Sequence, residues 1–388
     1  MTSQEIPYPS LDTPAVLVDL NTLEENIEEM SRLSAEVGIR LRPHVKVHEN
    51  VSIAKMQIEA GACGVEVGTV EQAEAMAEQG ITDIVIAHPS FYGGPKGEVL
   101  KKLLSHSSLK LVVVADMLEQ AETISHVAQA VGKRIPVLIK VDLGRSSRFG
   151  IPPGGPVLNL ARKLSQLRGI DLIGIYGHEM GAEPTQEGKD KVAFEAATIM
   201  TENAKMLRKE GIAIEHVSLG ASPTFRSTCR FLKEGKFREI TEIHPGQCVI
   251  GDIMYMRAGG NLREACAVTV LATVISTSHP DWAVIDAGYK TFGADSLITQ
   301  LDAAGFFWKG MPSFGSVQGR QDLWLGRLSA ETSCLYYMDR EKKLSLGERL
   351  EIVPNNATLV INIHDKIYGV RNSEVDITIP VTGRGRGN

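Results

Sequence analysis

From Thr13 to Asn261 the chain alternates short β-branched apolar runs with longer stretches whose apolar residues recur at helical spacing. That is the pattern of parallel strands joined by crossover helices, since a parallel neighbour can be reached only by a long return connection with one apolar face. The runs Ile39–Pro43, Gly64–Val67, Asp83–Ala87, Lys110–Ala115, Ile135–Val141, Leu172–Tyr176, His216–Leu219 and Glu239–Ile243 predict eight strands. Asn21–Val37, Thr69–Gln79 and Gly188–Lys209 read as helices between them. Eight such units predict an α/β fold, a (β/α)8 TIM-type barrel. After Glu264 the pattern changes: AVTVLATVIST, WAVIDAG, RLEIVP, ATLVINI and EVDITIPVTG read as strands without long intervening helices. The expected organisation is a barrel over 13–262 and a smaller, mostly β domain over 263–388 that also takes in about residues 1–12. The boundary is placed near the loop Arg257–Arg263, which contains Gly259 and Gly260.

Composition narrows the partners. A net charge of -6 offers no basic surface for nucleic acid, and no apolar run reaches the roughly 18 residues that span a bilayer. The opening MTSQEIPYPSLDTPAV lacks a basic region followed by an apolar core, so a cytoplasmic protein with no membrane partner is expected. Cys63, Cys229, Cys248, Cys266 and Cys334 are odd in number and contain no CxxC pair, so they read as free thiols rather than a disulfide framework or zinc knuckle.

In barrels of this kind the chemistry sits where the strands end, because the following loops converge on the mouth. The stretch Leu41–Asn50, LRPHVKVHEN, places Lys46 there between His44 and His48. A lysine in that position is either a solvated charge or an amine set to form an imine with an aldehyde cofactor. VSLGASPT, Val217–Thr224, follows the seventh strand with small and hydroxyl residues in a row. Its backbone amides can approach a phosphate and Ser222 and Thr224 can donate to it; a simple turn is the alternative, and the position after the seventh strand favours the phosphate. VDLGRSSRFG, Val141–Gly150, supplies Asp142, Gly144 and Arg148, an arginine suited to an anionic group or a cofactor oxygen, with Arg145 as an ordinary surface residue. GHEMG puts His178 past the sixth strand as a proton carrier, with Glu179 placed to orient another group. His88 and the segment His244–Cys248 also follow strands, whereas His106, His126 and His279 read as surface. In NIHDKIYGVR, His364 and Asp365 are adjacent on an expected strand and point to opposite faces, so they are not expected to share one metal ion.

Taken together, TPAVLVDLNTLEENI, RPHVKVH, DLGRSSRFG, VSLGASPT, VIDAGYKTFGAD and IHDKIYGVRNSEV make the chain resemble the D-threonine aldolase and D-serine dehydratase family. That family is a branch of the alanine racemase-like, fold type III enzymes that use pyridoxal 5'-phosphate, and the resemblance covers nearly the whole chain. It implies that Lys46 holds the cofactor through an imine and that Arg148 is the cofactor-side arginine. It places Gly220, Ala221, Ser222 and Thr224 on the phosphate loop, with His44, Gly246 and Gln247 also expected against the cofactor. It further implies a homodimer with a shared active site and a small amino acid as substrate.

Three departures bear on the reaction. Where the family's lyases carry a histidine, one residue and then a cysteine or aspartate as ligands of a divalent metal, PNNAT places Asn356 and Thr358. Where the family has a nearby histidine, SAETS places Thr332, and Cys248 and His178 stand where relatives often have tyrosine. No metal site is therefore expected, since amide and hydroxyl oxygens are weak ligands for transition metals. The leading expectation is a lyase acting at Cα–Cβ of a D-3-hydroxy amino acid, with His178 or another protein base in the role the metal has in relatives. The alternatives are a metal-independent racemase or epimerase with Lys46 and His178 as its two bases, and a non-catalytic cofactor carrier, against which the additional β domain counts. A barrel hydrolase in which Lys46 only forms an ion pair is the remaining possibility.

Overall fold

The computed structural model describes residues 7–144, 147–258, 266–294 and 307–386. Its first strand, β1 (Ala15–Asp19), leads into helix α1 (Leu20–Glu36), which begins where the Asp19 carboxylate accepts the Thr22 N–H. Leu23, Ile27 and Met30 then recur at helical spacing and are buried against the barrel.

The barrel strands follow: β2 (Arg40–Leu41), β3 (Val65–Val67), β4 (Asp83–Ile86), β5 (Lys110–Ala115), β6 (Ile135–Val141), β7 (Ile170–Gly177), β8 (His216–Leu219) and β9 (Glu242–Ile243). They form one 8-stranded sheet in the order β2-β9-β8-β7-β6-β5-β4-β3. A parallel bridge between His44 and Glu66 joins its two edges, with Cys63 N–H donating to Leu41 O and Glu66 N–H to Pro43 O, each at 2.9 Å. The expected strands Ile39–Pro43 and Glu239–Ile243 are shorter in the structure. Pro43 has no N–H for a ladder, and Ile240 N–H turns back to Phe237 O at 3.0 Å instead of pairing across the sheet.

Side chains alternate across this sheet. Ile84, Ile86, Val113, Val137, Ile139 and Ile175 join the large core beneath the helices. Val85, Ala87, Val114, Leu138 and Tyr176 form a separate buried cluster. The period of two makes this second set the barrel's interior layer. Among the return helices, α2 (Val51–Glu59) and α3 (Val70–Glu78) start beside the mouth; a reciprocal Thr69–Gln72 capping box fixes the start of α3.

The second sheet is built from β10 (Val268–Ser276), β11 (Trp282–Ile285), β14 (Gly315–Val317), β15 (Leu323–Leu328), β16 (Ser333–Tyr337), β17 (Arg349–Pro354), β18 (Lys366–Arg371) and β19 (Glu374–Pro380); a two-stranded ribbon of β12 (Phe307–Trp308) and β13 (Met311–Pro312) lies apart from it. β1 belongs to this sheet, antiparallel to β10 and parallel to β18. The stretch ATLVINI, expected as a strand, is the helix Ala357–Asn362. Ala357, Val360 and Ile361 are its buried residues, a helical rather than an alternating set, and Asn356 caps it by accepting the Leu359 N–H at 3.3 Å. His364 and Asp365 therefore lie in the connection before β18 and not on a strand. His364 Nδ1 bonds to Val360 O at 2.7 Å while exposed Asp365 pairs with Arg384, so the two point to different partners. Among the described residues no helix is long and apolar enough to cross a membrane.

Candidate active site

Lys46 lies in a single 3-10 turn, Val45–Val47, directly beyond β2. His44 caps the turn, its Nδ1 accepting the Lys46 N–H at 3.4 Å. Burial holds the Lys46 ammonium below the ordinary lysine value; Arg148 pushes in the same direction and Glu66 opposes it. More of this amine is therefore neutral, and nucleophilic, than in a lysine in water.

Inward-facing residues of neighbouring strands surround it. Glu66 of β3 is fully buried, with Oε1 3.6 Å from His44 Nε2 and accepting the Tyr176 O–H at 2.8 Å. The Tyr176 ring stacks on His244 with centroids 4.4 Å apart. His244 Nδ1 is 2.9 Å from Ser218 Oγ, and Ser218 donates its own hydrogen to Glu242 Oε1 at 3.2 Å. Nδ1 must then carry the imidazole hydrogen, which leaves Nε2 as a lone pair. Lys140 of β6 sits 4.8 Å from the centroid of Tyr176 and 5.3 Å from that of Phe149, near Ala87 O at 3.4 Å. Phe149 in turn stacks on His88, with centroids 5.8 Å apart.

Burial governs the charges. It lowers His178 to about 4 and His88 to about 3, and it takes His44 and His244 well below the ordinary histidine value. It also raises Glu66 and lowers Lys140, both toward their neutral forms. Near pH 7 the mouth is thus lined by neutral imidazoles. His178 Nδ1 is 2.7 Å from Gly220 O, an acceptor only, so Nδ1–H is the donor and Nε2 is available as a base.

The residues expected to form a phosphate loop follow β8. A Cβ on Gly220 would lie 2.8 Å from His244 N, and one on Gly246 would lie 2.6 Å from His44 O. Both positions thus bring backbone to the mouth where no side chain fits. Ser222 Oγ accepts the N–H groups of Gly246 at 3.0 Å and Cys248 at 3.2 Å, so its own hydrogen remains for another acceptor. Thr224 is placed differently: its hydroxyl donates to Glu179 Oε1 at 2.5 Å, so that hydrogen is already committed within the protein. Burial raises the Glu179 carboxyl to about 7, against that hydrogen bond. Ala221 is buried in the same turn, and the Gln247 side chain donates to Asp252 Oδ2 at 2.5 Å. Arg148 is exposed at the rim and Asp142 accepts the Gly144 N–H at 2.8 Å, while Arg145 falls outside the described residues.

Lys46, His44, His88, His178, His244, Gly220 and Gly246 thus converge on one mouth. Sequence reasoning passed over Glu66, Lys140, Tyr176 and Ser218, all inside strands it had identified. A usable signal was the alternation: in VLIKV, Lys140 shares its parity with Leu138, an interior residue.

These residues fit pyridoxal 5'-phosphate. His44 Nε2, His244 Nε2 and Glu66 Oε2 are buried without a hydrogen-bond partner, a cost that a polar ligand would relieve. Lys46 would hold the aldehyde, Ser222 the phosphate, and the histidines the ring surroundings, while the Gly220 N–H is already directed to Gly177 O at 3.4 Å. The donors do not fit the family's divalent metal. Asn356 is the cap of its helix, the Thr332 hydroxyl is 2.7 Å from Ser329 Oγ, and no three His, Cys, Asp or Glu side chains among the described residues are grouped to hold a metal ion.

Comparison with known proteins agrees with this frame. Residues 18–253 match the alanine racemase N-terminal domain, and residues 267–370 match a putative serine dehydratase domain. The chain is 28% identical to a 3-hydroxy-D-aspartate aldolase of Paracoccus denitrificans (strain Pd 1222), over 97% of this chain and 93% of that protein. It is 30% identical to a D-threo-3-hydroxyaspartate dehydratase of Delftia sp. (strain HT23), over 90% and 91%. The solved structure of D-threonine aldolase from Filomicrobium marinum superposes with a TM-score of 0.84 at 29% identity, covering 99% of this chain and 98% of that one.

Proposed function

The chain belongs to the alanine racemase N-terminal domain family, here joined to a serine dehydratase-type domain, and from that membership we propose a pyridoxal-phosphate-dependent lyase acting at Cα–Cβ of a D-3-hydroxy amino acid. The observation that carries this reading is end-to-end similarity, through both domains, to lyases of hydroxy amino acids.

The bound cofactor would supply an electron-withdrawing ring that stabilises negative charge at the substrate Cα. Lys46, with its ammonium destabilised by burial, would hold that group and release it to an incoming amino acid. His178 Nε2 is the base assigned to the substrate: its Nδ1–H is held by Gly220 O, so Nε2 would take the proton of the β-hydroxyl. His244 Nε2 offers a second acceptor at the mouth, and stacking on Tyr176 fixes its ring. Arg148, exposed at the rim, would meet an anionic group.

The exposed apolar rim supports a homodimer. Phe91, Met117, Phe149 and Met180 are exposed on loops after β4, β5, β6 and β7, a patch that a second copy would cover while completing the mouth. Five free cysteines accord with a cytoplasmic setting.

Incubating purified protein and cofactor with D-threonine, D-serine and D-3-hydroxyaspartate tests the reading. Aldehyde, glyoxylate or keto acid is expected from at least one, and none from any would refute it. With Lys46 and His178 both at the mouth as two candidate bases, racemisation is the second reading. It predicts solvent deuterium at Cα with the carbon skeleton intact.

A further inference from the structure

The loop that leaves Lys46 is held by a segment far along the chain, Val51 and its partner Thr382 being 331 residues apart. After the lysine turn, His48 and Glu49 both return their N–H groups to Val45 O, at 3.2 and 2.8 Å. Glu49 has φ 46°, in the left-handed region, which a non-glycine residue keeps only where its surroundings hold it. What holds it lies beyond β19. Gly383 N–H donates to Glu49 O at 2.8 Å. Thr382 Oγ1 accepts the Val51 N–H at 3.2 Å and lies 3.4 Å from Glu49 O as a donor. Asn50 donates to Pro380 O at 2.6 Å, and Thr69, at the start of α3, donates to Arg386 O at 2.8 Å. The Glu49 carboxylate is itself buried between Gln72 Nε2 at 2.9 Å and Asn362 Nδ2 at 2.5 Å.

Gly383 is the closest point of this contact. A Cβ there would lie 2.9 Å from the Glu49 Cβ and 3.0 Å from Glu49 O, so only glycine lets the two backbones meet. We propose that Thr382 and Gly383 are positioning residues for Lys46, fixing from outside the barrel the backbone on which the lysine turn ends. The proposal rests on the reading of Lys46 as the cofactor lysine. Both act through their contacts with Glu49 and Val51. A loosened loop would alter both the direction of the Lys46 amine and the depth of its burial.

The test uses the full chain and the variants Thr382→Val, Thr382→Ser and Gly383→Ala. Acylation of Lys46 by acetic anhydride, followed by peptide mass across pH without cofactor, reports its accessibility and proton affinity; exposed Lys290 is the internal standard. Borohydride capture of added pyridoxal 5'-phosphate at Lys46 is measured in parallel, with thermal melting as the control for folding. Thr382→Val keeps the shape and removes both hydrogen bonds, so it carries the test even where Gly383→Ala does not fold. In Thr382→Val and in folded Gly383→Ala, capture at Lys46 is expected to slow by about tenfold or more, because a small misplacement of a reacting group is costly. The acylation profile of Lys46 should shift while that of Lys290 stays, and Thr382→Ser should behave as wild type. Unchanged acylation and capture at Lys46 in folded Thr382→Val would overturn the proposal. Absence of capture in the wild type would instead strike the cofactor reading, and the acylation profiles would still decide the positioning role.

Discussion

Gly246→Ala puts the geometry of the mouth under the most direct strain. The added Cβ would sit 2.6 Å from the carbonyl oxygen of His44 and 3.1 Å from its Cβ. A carbon rests about 3.3 Å or more from a carbonyl oxygen, so the ends of β2 and β9 would have to part by roughly 0.7 Å. The same junction holds the His44 N–H to Pro245 O bond at 3.1 Å, and His44 caps the turn that carries Lys46. Overpacking of this kind costs about 1–3 kcal/mol, which leaves most proteins folded. A displacement of nearly 1 Å at a reacting group costs up to about a hundredfold in rate. The expected signature is therefore a split: a modest loss in melting temperature beside a 10- to 100-fold loss, by that rule, in the rate of borohydride capture of the cofactor at Lys46. Gly155→Ala is the control, since a Cβ there meets nothing within 4 Å and the position is helical. A folded Gly246→Ala protein that captures the cofactor at the wild-type rate would refute the claim that this glycine shapes the lysine site.

Further expectations follow from the histidines and the metal-poor donor set. His178→Gln should retain cofactor capture and lose about 10²–10⁴ in kcat, the usual scale for a general base. Because His178 lies at about 4, the wild-type kcat/KM profile should show no limb from this residue between pH 7 and about 5.5, where an ordinary histidine base would already be mostly protonated; a limb near 6.5 that vanishes in His178→Gln would contradict this. His48, His88 and His178 have folded values of about 4, 3 and 4, below the unfolded value, so their contribution to stability is complete above about pH 6.5 and is lost as pH falls toward 4. Each should remove up to about 1.4 kcal/mol per pH unit over that range, while Glu66 and Glu179 act in the opposite sense and offset about as much in the wild type; the urea midpoint of His88→Gln should therefore fall less than that of the wild type between pH 7 and 5.5, and an equal fall in the two would count against the burial argument. Asn356→Ala should cost about 1 kcal/mol in melting experiments as the loss of a helix cap, and exhaustive chelation should leave wild-type turnover unchanged. A turnover abolished by chelator and restored by a divalent ion would show a metal bound through other ligands.

The barrel was legible because its strands are short β-branched runs separated by helical stretches, and that rhythm survives without any tertiary information. Its closing strands were read too long because Pro43 and the turn at Phe237–Ile240 end ladders that apolar content alone would continue. ATLVINI was read as a strand because a short apolar run carries no decisive period; the information lay just before it, in an asparagine able to cap. At the site, Lys46, His178 and the glycine turns were visible by their place after strands. Thr224 was read as a phosphate donor because hydroxyl residues in a glycine-rich turn usually face outward, whereas its hydrogen is held by buried Glu179. Lys140 and Glu66 were missed because they sit within strands, where a charged residue gains meaning only once the interior face is known. The Thr382 and Gly383 contacts with the lysine loop leave no local mark at all, since they join distant parts of the chain.

Peptide mapping after borohydride reduction of the wild-type protein with pyridoxal 5'-phosphate bears most directly on the central claim. The arrangement predicts one dominant adduct, on the peptide containing Lys46, competed by D-3-hydroxy amino acids. An adduct on Lys140 instead, or labelling spread over exposed lysines with none at Lys46, would contradict it.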